Sequence, residues 1–483
     1  MRNDHMRRTR ILTGVLIAMV LAAGTTIPQD RSMIPKGKPA PRVQVPAIQK
    51  TKLSNGLSVW LVEHHELPLV AFNLVIQAGS DHDPLTEPGL ASTTADVLDE
   101  GTTTRDALQI SDELESIGAD LGVNSADDGS FVTLRTLTKH LDKALAVYAD
   151  VIVNPVFPQK EFDRLKSQRL TSLMQQKDQP TSIANNAFAH ILYGANHPYG
   201  LNSSGTPASV EGMTREDLLK FYKTYYRPGN ATLIVVGDVT LDGITKKLEA
   251  SFGTWADAPV PPYTVPAPEP VLSRRVYLID KPAAPQSEVR IGYPALARST
   301  PDYFPVYVMN RMLGGQFTSR INMNLREKHG YTYGARSSFN FLKGVGPFVA
   351  SGGIVSEKTD SALVQFLYEI DLMRQKGMTD EELAFVKKGL IGNFALNFET
   401  PAQLASMMQN IILYGLPDDY YSTYLQNIEK VTPVEVLRVA RQYLDSSKMD
   451  VVVVGDLATI RPGIEAAKIG DIVVCNTDGD PLP

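Results

Sequence analysis

The chain has 483 residues, 43% of them apolar and 21% charged, with a formal net charge of −6. This is the composition of an ordinary soluble protein with room for two or more cores. The negative balance leaves no footprint for nucleic acid, and a single cysteine, Cys475, excludes an internal disulfide.

In chain order, Arg2, Arg7, Arg8 and Arg10 precede an apolar run from Ile11 to Ala23, and Ala22-Ala23-Gly24 supplies small residues for cleavage. Residues 1–24 read as a secretory signal, because the run is short of the roughly 20 residues that span a bilayer. An uncleaved membrane anchor is the alternative. With no cysteine at the cleavage site a lipoprotein anchor is disfavoured, and export without disulfides suits the bacterial periplasm. Residues 25–46 contain Pro28, Pro35, Pro39 and Pro41 and read as an extended tether.

An N-terminal domain is expected over 47–257. Leu57 to Val62 is strand-like, and Leu69 to Gln77 alternates through Val70, Phe72, Leu74 and Ile76 as a second strand. Helical patterns follow over 88–98, 107–117, 141–153 and 159–176. Asn154-Pro155 stops the third helix, and Pro158 opens the fourth where proline is tolerated. The domain closes on Ile234-Val235-Val236-Gly237-Asp238-Val239 and a helix. Residues 258–270 hold six prolines in thirteen positions, a stiff linker. A C-terminal domain is expected over 271–470, followed by a tail at 471–483.

The second domain repeats the first at a constant offset of 218 residues. The Gly-Asp strand returns as Val452-Val453-Val454-Gly455-Asp456-Leu457, and Asp142-Lys143-Ala144-Leu145 returns as Asp360-Ser361-Ala362-Leu363. Thr214 returns as Thr432 and Tyr225 as Tyr443. Solenoid repeats run roughly 20–50 residues, so a period this long means two tandem homologous domains. Strands and helices in non-alternating runs argue for an α+β fold, each domain a mostly antiparallel sheet packed with helices.

Several motifs fall in one order: Asn55-Gly56-Leu57, Ala78-Gly79-Ser80, Pro88-Gly89-Leu90-Ala91, Glu100-Gly101-Thr102, Asn154-Pro155-Val156-Phe157, His197-Pro198-Tyr199-Gly200, Leu313-Gly314-Gly315 and Leu325-Arg326-Glu327-Lys328 with Gly334. In these the chain resembles the pitrilysin/insulinase zinc peptidases, in the subclass with one two-domain half per chain. The resemblance implies half of a clamshell that closes around extended peptides. It also implies H-x-x-E-H directly after Gly-Leu-Ala, where histidines one helical turn apart bind Zn²⁺ and the glutamate activates water.

Here those five positions read Ser92-Thr93-Thr94-Ala95-Asp96. The family's third ligand, a glutamate expected within 167–172, meets Ser167-Gln168-Arg169-Leu170-Thr171-Ser172, with no acid. None of the eight histidines forms a paired i, i+4 arrangement. His64 and His65 are adjacent and point apart on a strand, and His197 belongs to a loop motif. No G-x-S-x-G elbow is present. The chain is therefore expected to hold no metal of its own.

The second half keeps what the first has lost. The family carries an Arg and a Tyr seven residues apart that reach the zinc site, and Arg326 and Tyr333 stand at that spacing, with Tyr331 as competitor for the phenol. Such donors stabilise the charge that develops on a carbonyl oxygen during hydrolysis. Some zinc-free members carry a glycine-rich substrate loop before this motif, and Leu313 to Arg320 has no such insertion. Gly344, Gly346, Gly352 and Gly353 are expected at strand ends and turns, with positive φ as the usual reason for glycine. The resemblance implies a non-catalytic subunit of a heterodimer. A homologous H-x-x-E-H subunit would supply zinc, and this chain would supply Arg326, Tyr333 and surface for unfolded peptides. A scaffold without proteolytic role is the main alternative, and an independent metalloenzyme with a novel site is a third.

Overall fold

The strands form where β-branched and aromatic residues run between turn residues, and they assemble into two six-stranded mixed sheets. The computed structural model describes residues 45–483. The expected signal at 1–24, and the expected tether as far as residue 44, lie outside the described residues.

The first sheet contains β1 (Gln49–Lys52), β2 (Ser58–Glu63), β3 (Leu69–Ile76), β4 (Asp120–Ser125), β5 (Ser130–Leu137) and β6 (Ala231–Gly237), in the order β1-β2-β6-β3-β5-β4. The second contains β7 (Arg275–Asp280), β8 (Gln286–Leu296), β9 (Thr332–Phe339), β10 (Gly346–Val355), β11 (Asp450–Gly455) and β12 (Asp471–Cys475), in the order β12-β7-β11-β8-β10-β9. The repeat is structural: β6 and β11 are the two Gly-Asp strands. β6 runs parallel to β2 and antiparallel to β3, as β11 runs parallel to β7 and antiparallel to β8. Thr214 and Thr432 are N-caps with complete capping boxes on the helices Arg215–Tyr225 and Pro433–Tyr443. The lobes differ at one edge. β1 lies antiparallel to β2, whereas the corresponding place beside β7 is taken by β12 running parallel. The segment expected as a C-terminal tail thus begins as a sheet strand, because Ile472, Val473 and Val474 find an open edge to pair with.

β3 is the informative strand. Alternation predicts one buried face, yet seven of its eight residues are buried. Helices of its own lobe, including Leu141–Val153, cover the face of Val70, Phe72, Leu74 and Ile76. The opposite face is covered by the helix Pro401–Tyr414 from the second lobe. Leu404, Ala405, Met408, Ile412 and Leu413 pack there on Val62, Val75, Phe131, Ile234 and Val236. Buried Asn73 reaches across this junction, its Nδ2 donating to Gln409 Oε1 at 2.7 Å. The exchange is reciprocal. The first lobe's helix Pro180–Tyr193 lays Ile183, Ala187, Phe188 and Leu192 on Tyr277, Ile279, Val452 and Val454 of the second sheet. Among the described residues no helix is long and apolar enough to cross a membrane.

Candidate functional site

Arg326 lies in an irregular helical stretch. A short turn, Arg320–Asn322, passes into a π-helical turn, Met323–Lys328, a conformation frequent at functional sites. Leu325 is fully buried and anchors the turn. The Arg326 guanidinium sits over the Phe317 ring, 4.7 Å from its centroid, and only Glu327, 3.5 Å away, forms an ion pair with it among the described residues. Gly330, at φ 65°, then reverses the chain toward β9 in a conformation that costs glycine nothing.

β9 is an edge strand, and Tyr333 projects from it with 86% of its surface exposed. Thr332 and Ala335 on the same strand are buried. Tyr331 packs against the second core and stacks on His329 at 4.9 Å, so it is a packing residue and Tyr333 is the free phenol. Buried Asn322 ties the loop to the strand: its Nδ2 donates to Phe317 O at 2.7 Å, and its Oδ1 accepts from Ala335 N at 3.1 Å. Arg326 and Tyr333 line one cavity of about 750 Å³, together with Phe317, Gly315, Arg290 and Arg336. Arg290 is buried, which pulls its pKa down. Glu288 opposes that shift from 3.0 Å, and Asn185 Oδ1 accepts from Arg290 Nε at 2.8 Å. Sequence reasoning missed Arg290, Arg336 and Phe317, which carry no motif and meet the site only through the fold.

The five positions of the missing zinc motif lie on the helix Leu90–Val97. Gly89, at φ 91°, leads into it, and a Cβ there would lie 2.7 Å from Gly205 N. Asp83 is buried at the helix start and accepts from Gly89 N at 2.8 Å and Ala91 N at 2.7 Å. Burial nonetheless pushes its carboxyl up to about 7. Ser92 and Asp96 stand one turn apart and face the helix Gln159–Gln176.

The residue that meets them is Arg169. Its Nη2 donates to Asp96 Oδ2 at 2.5 Å, and its Nη1 donates to Ser92 Oγ at 2.8 Å and Ser204 O at 2.9 Å. A guanidinium has five donors and no acceptor, so it ligates no cation. Zinc sites need three or four N, S or O ligands converging on one point. Here a hydroxyl and one carboxylate converge on a fixed positive charge. Among the described residues no group of three or more His, Cys, Asp or Glu is placed to hold a metal ion. The residues present do not fit zinc. Arg169 lay in plain view in the sequence, but nothing local links it to Asp96, 73 positions earlier.

A groove joins the two places. The cavity of about 300 Å³ beside Asp96 and Arg169 shares Leu173 and Gln176 with a neighbour of about 300 Å³. That neighbour shares Asn186, Leu201 and Asn202 with a cavity of about 680 Å³. The last shares Thr181, Arg290, Arg336 and Ser351 with the Arg326 cavity.

The other candidate groups have structural partners. His197 is buried, its Nε2 donates to Pro266 O (2.9 Å) and its Nδ1 accepts from Tyr199 N (3.1 Å), and burial lowers its pKa. His65 is exposed between Asp238 and Glu63, which raise its pKa. Cys475 is buried, and its thiol is pushed up to about 11 by that burial. The expectation for Gly344, Gly346, Gly352 and Gly353 needs correction, since none has positive φ. Space is the reason instead: a Cβ on Gly346 would meet Asn340 O at 1.7 Å, and one on Gly344 would meet Val265 Cγ1 at 2.6 Å.

Two family profiles match the chain in tandem: "Insulinase (Peptidase family M16)" over residues 59–200 and "Peptidase M16 inactive domain" over 212–390. An uncharacterized zinc protease of Streptomyces coelicolor is 25% identical, over 82% of this chain and 87% of that protein. The non-peptidase homolog YmxG of Helicobacter pylori is 28% identical, over 77% of this chain and 86% of its own. A crystal structure described as a peptidase M16 inactive domain from Pseudomonas fluorescens superimposes with a TM-score of 0.80 at 27% identity, covering 85% of this chain and 98% of that one.

Proposed function

The chain belongs to peptidase family M16, the insulinase family, and on that premise we propose that it is the non-catalytic subunit of a heterodimeric zinc peptidase acting on unfolded peptides. A homologous subunit with intact H-x-x-E-H supplies the zinc and the attacking water. This chain supplies two donors and a wall. As the scissile carbonyl becomes tetrahedral, negative charge collects on its oxygen. The Tyr333 phenol and Arg326 guanidinium donate hydrogen bonds to that oxygen where the closed chamber excludes water. Arg326 is available for this because its contact with Glu327 is long and half-exposed, too weak to compete with a developing oxyanion. The groove between the lobes accommodates the extended peptide. Residues 1–24, read as a signal, place the complex in the periplasm under this proposal.

The observation that carries the reading is the contrast between the lobes. The metal positions are filled by Arg169, while a tyrosine that contributes nothing to packing stands 86% exposed beside Arg326 in a shared cavity. The test compares peptidase activity on a mixed pool of unstructured peptides for this chain, the H-x-x-E-H subunit, and their mixture. Activity confined to the mixture, and lost with Arg326→Ala/Tyr333→Phe, is the expected result. Zinc-dependent activity of this chain alone would sink it. A partner indifferent to this chain would favour a peptidase-derived scaffold, the reading to which the name of the Helicobacter pylori relative lends weight.

A further inference from the structure

A second cavity, of about 480 Å³, lies in the C-terminal lobe away from the groove, between the starts of the helices Tyr303–Leu313 and Tyr420–Lys430 and the outer face of Pro401–Tyr414. Its volume is that of a small-molecule site. At its wall is Arg298, 9% exposed. The guanidinium stacks on Tyr303, 3.7 Å from the ring centroid, and lies 5.1 Å from that of Tyr420. Its Nη2 donates to Tyr420 Oη at 2.7 Å. Among the described residues no carboxylate forms an ion pair with Arg298, and Nε and Nη1 donate to no protein atom. Among the described residues no acid lines the cavity.

A buried charge ordinarily has a counter-charge, since leaving water without one costs several kcal/mol. Two aromatic faces offset part of that cost. They also orient the guanidinium, which leaves an edge with free N–H groups toward the cavity. A planar fork of donors matches a carboxylate in two parallel hydrogen bonds. The remaining walls define the rest of the ligand. Phe394, Tyr421 and Tyr424 offer an aromatic enclosure, and Asn397 and Asn410 offer amides suited to a peptide or amide group. No part of this cavity is shared with the walls of the groove or with Arg326 and Tyr333.

We propose that this cavity binds a small carboxylate with an aromatic or large apolar body, the carboxylate pairing with Arg298 and the body lying among the tyrosines. The free C-terminus of a short peptide ending in an aromatic residue has this chemistry, and so does a non-peptide aryl carboxylate. The full chain is titrated calorimetrically with glycyl-phenylalanine, its C-terminal amide and 3-phenylpropionate. At least one of the two acids binds, and the amide binds at least about tenfold more weakly than the dipeptide, for want of the charge-assisted pair. Tighter binding of the dipeptide than of phenylpropionate assigns the site to peptide ends, and the reverse assigns it to aryl acids. Arg298→Gln abolishes binding. Ser406→Trp, which fills the cavity from a solvent-facing helix position, does the same while the melting temperature stays within a few degrees, so the test survives if the Arg298 variant fails to fold. Equal affinity for acid and amide, or no binding of either acid at millimolar concentration, overturns the proposal. Neither result bears on whether Arg326 and Tyr333 act in proteolysis.

Discussion

Two residues carry the contrast between the lobes, and each makes a separate prediction. Arg169 holds the positions of the absent ligands together through Asp96, Ser92 and Ser204. Arg169→Ala leaves Asp96 without its cation, but Asp96 is half-exposed and water recovers much of its solvation. The expected loss is therefore modest, about 1–2 kcal/mol, read as a lower midpoint in urea at unchanged slope. Simple removal of Arg169 also brings no metal binding, because a hydroxyl and one carboxylate do not make a zinc set. Stoichiometric zinc in purified Arg169→Ala would refute that account. Tyr333 behaves in the opposite way. Its side chain packs on nothing, so Tyr333→Phe changes stability by less than about 0.5 kcal/mol. In the heterodimer proposed above, the same change is expected to lower kcat by about 100-fold and leave KM nearly unchanged, the mark of a donor used only in the transition state. A parallel loss of kcat and stability would instead assign Tyr333 to the fold.

At the scale of elements, the two exchanged helices decide how the lobes relate. Leu404 on Pro401–Tyr414 and Ile183 on Pro180–Tyr193 are buried against the sheet of the other lobe. Leu404→Ala opens a cavity at the first junction and costs about 2–4 kcal/mol. Because the helix belongs to one lobe and its seat to the other, both lobes lose stability and a single thermal transition shifts as a whole. Two separated transitions in the calorimeter would mean that the lobes fold independently. The sequence discloses these elements unevenly, and the reason is range. The helices at 141–153 and 159–176 are legible to the residue, since Asn154, Pro155 and Pro158 punctuate them locally. The tandem repeat is legible because β6 and β11 are fully buried in equivalent central places and so keep the same apolar run. Exchange of the covering helices is invisible, because an apolar face does not state which sheet it will meet. The same holds for Arg169 and Asp96, and for β12, whose pairing depends on an edge left open some 200 residues earlier. Arg326 and Tyr333 were reachable only as a motif at fixed spacing. Their exposure was not legible there, nor that Tyr331, just before β9, packs partly buried against the second core while Tyr333 on the edge strand stands free.

For the whole molecule, the balance of buried carboxyls fixes how stability responds to pH. Burial raises Asp83 to about 7 and Asp99 and Asp450 to about 6, against a usual value near 4. Asp128 is raised by burial too, and it joins the lobes: Tyr199 Oη and Lys343 N donate to its carboxylate, and Lys343 Nζ donates to its carbonyl. Between about pH 4 and pH 7 the folded chain holds protons on these groups that the unfolded chain has released. Stability therefore falls as pH rises through that window, and it climbs as the solution is taken from pH 8 toward 5. Below about pH 4 the unfolded chain protonates as well, and the gain stops. The carboxyls that ion pairs or hydrogen bonds hold low act in the other direction there. Asp302, lowered chiefly by Arg438, and Asp150 and Glu382, lowered by their hydrogen bonds against the cost of burial, lose their stabilising charge as they protonate. The two limbs give a maximum in melting temperature near pH 5. Asp99→Asn and Asp450→Asn, which are neutral at every pH, flatten the limb between pH 5 and 8 and leave the acid limb in place. A melting temperature that instead rises from pH 5 to 8 would mean that these carboxylates are charged in the folded state and paired by something other than the neighbours described.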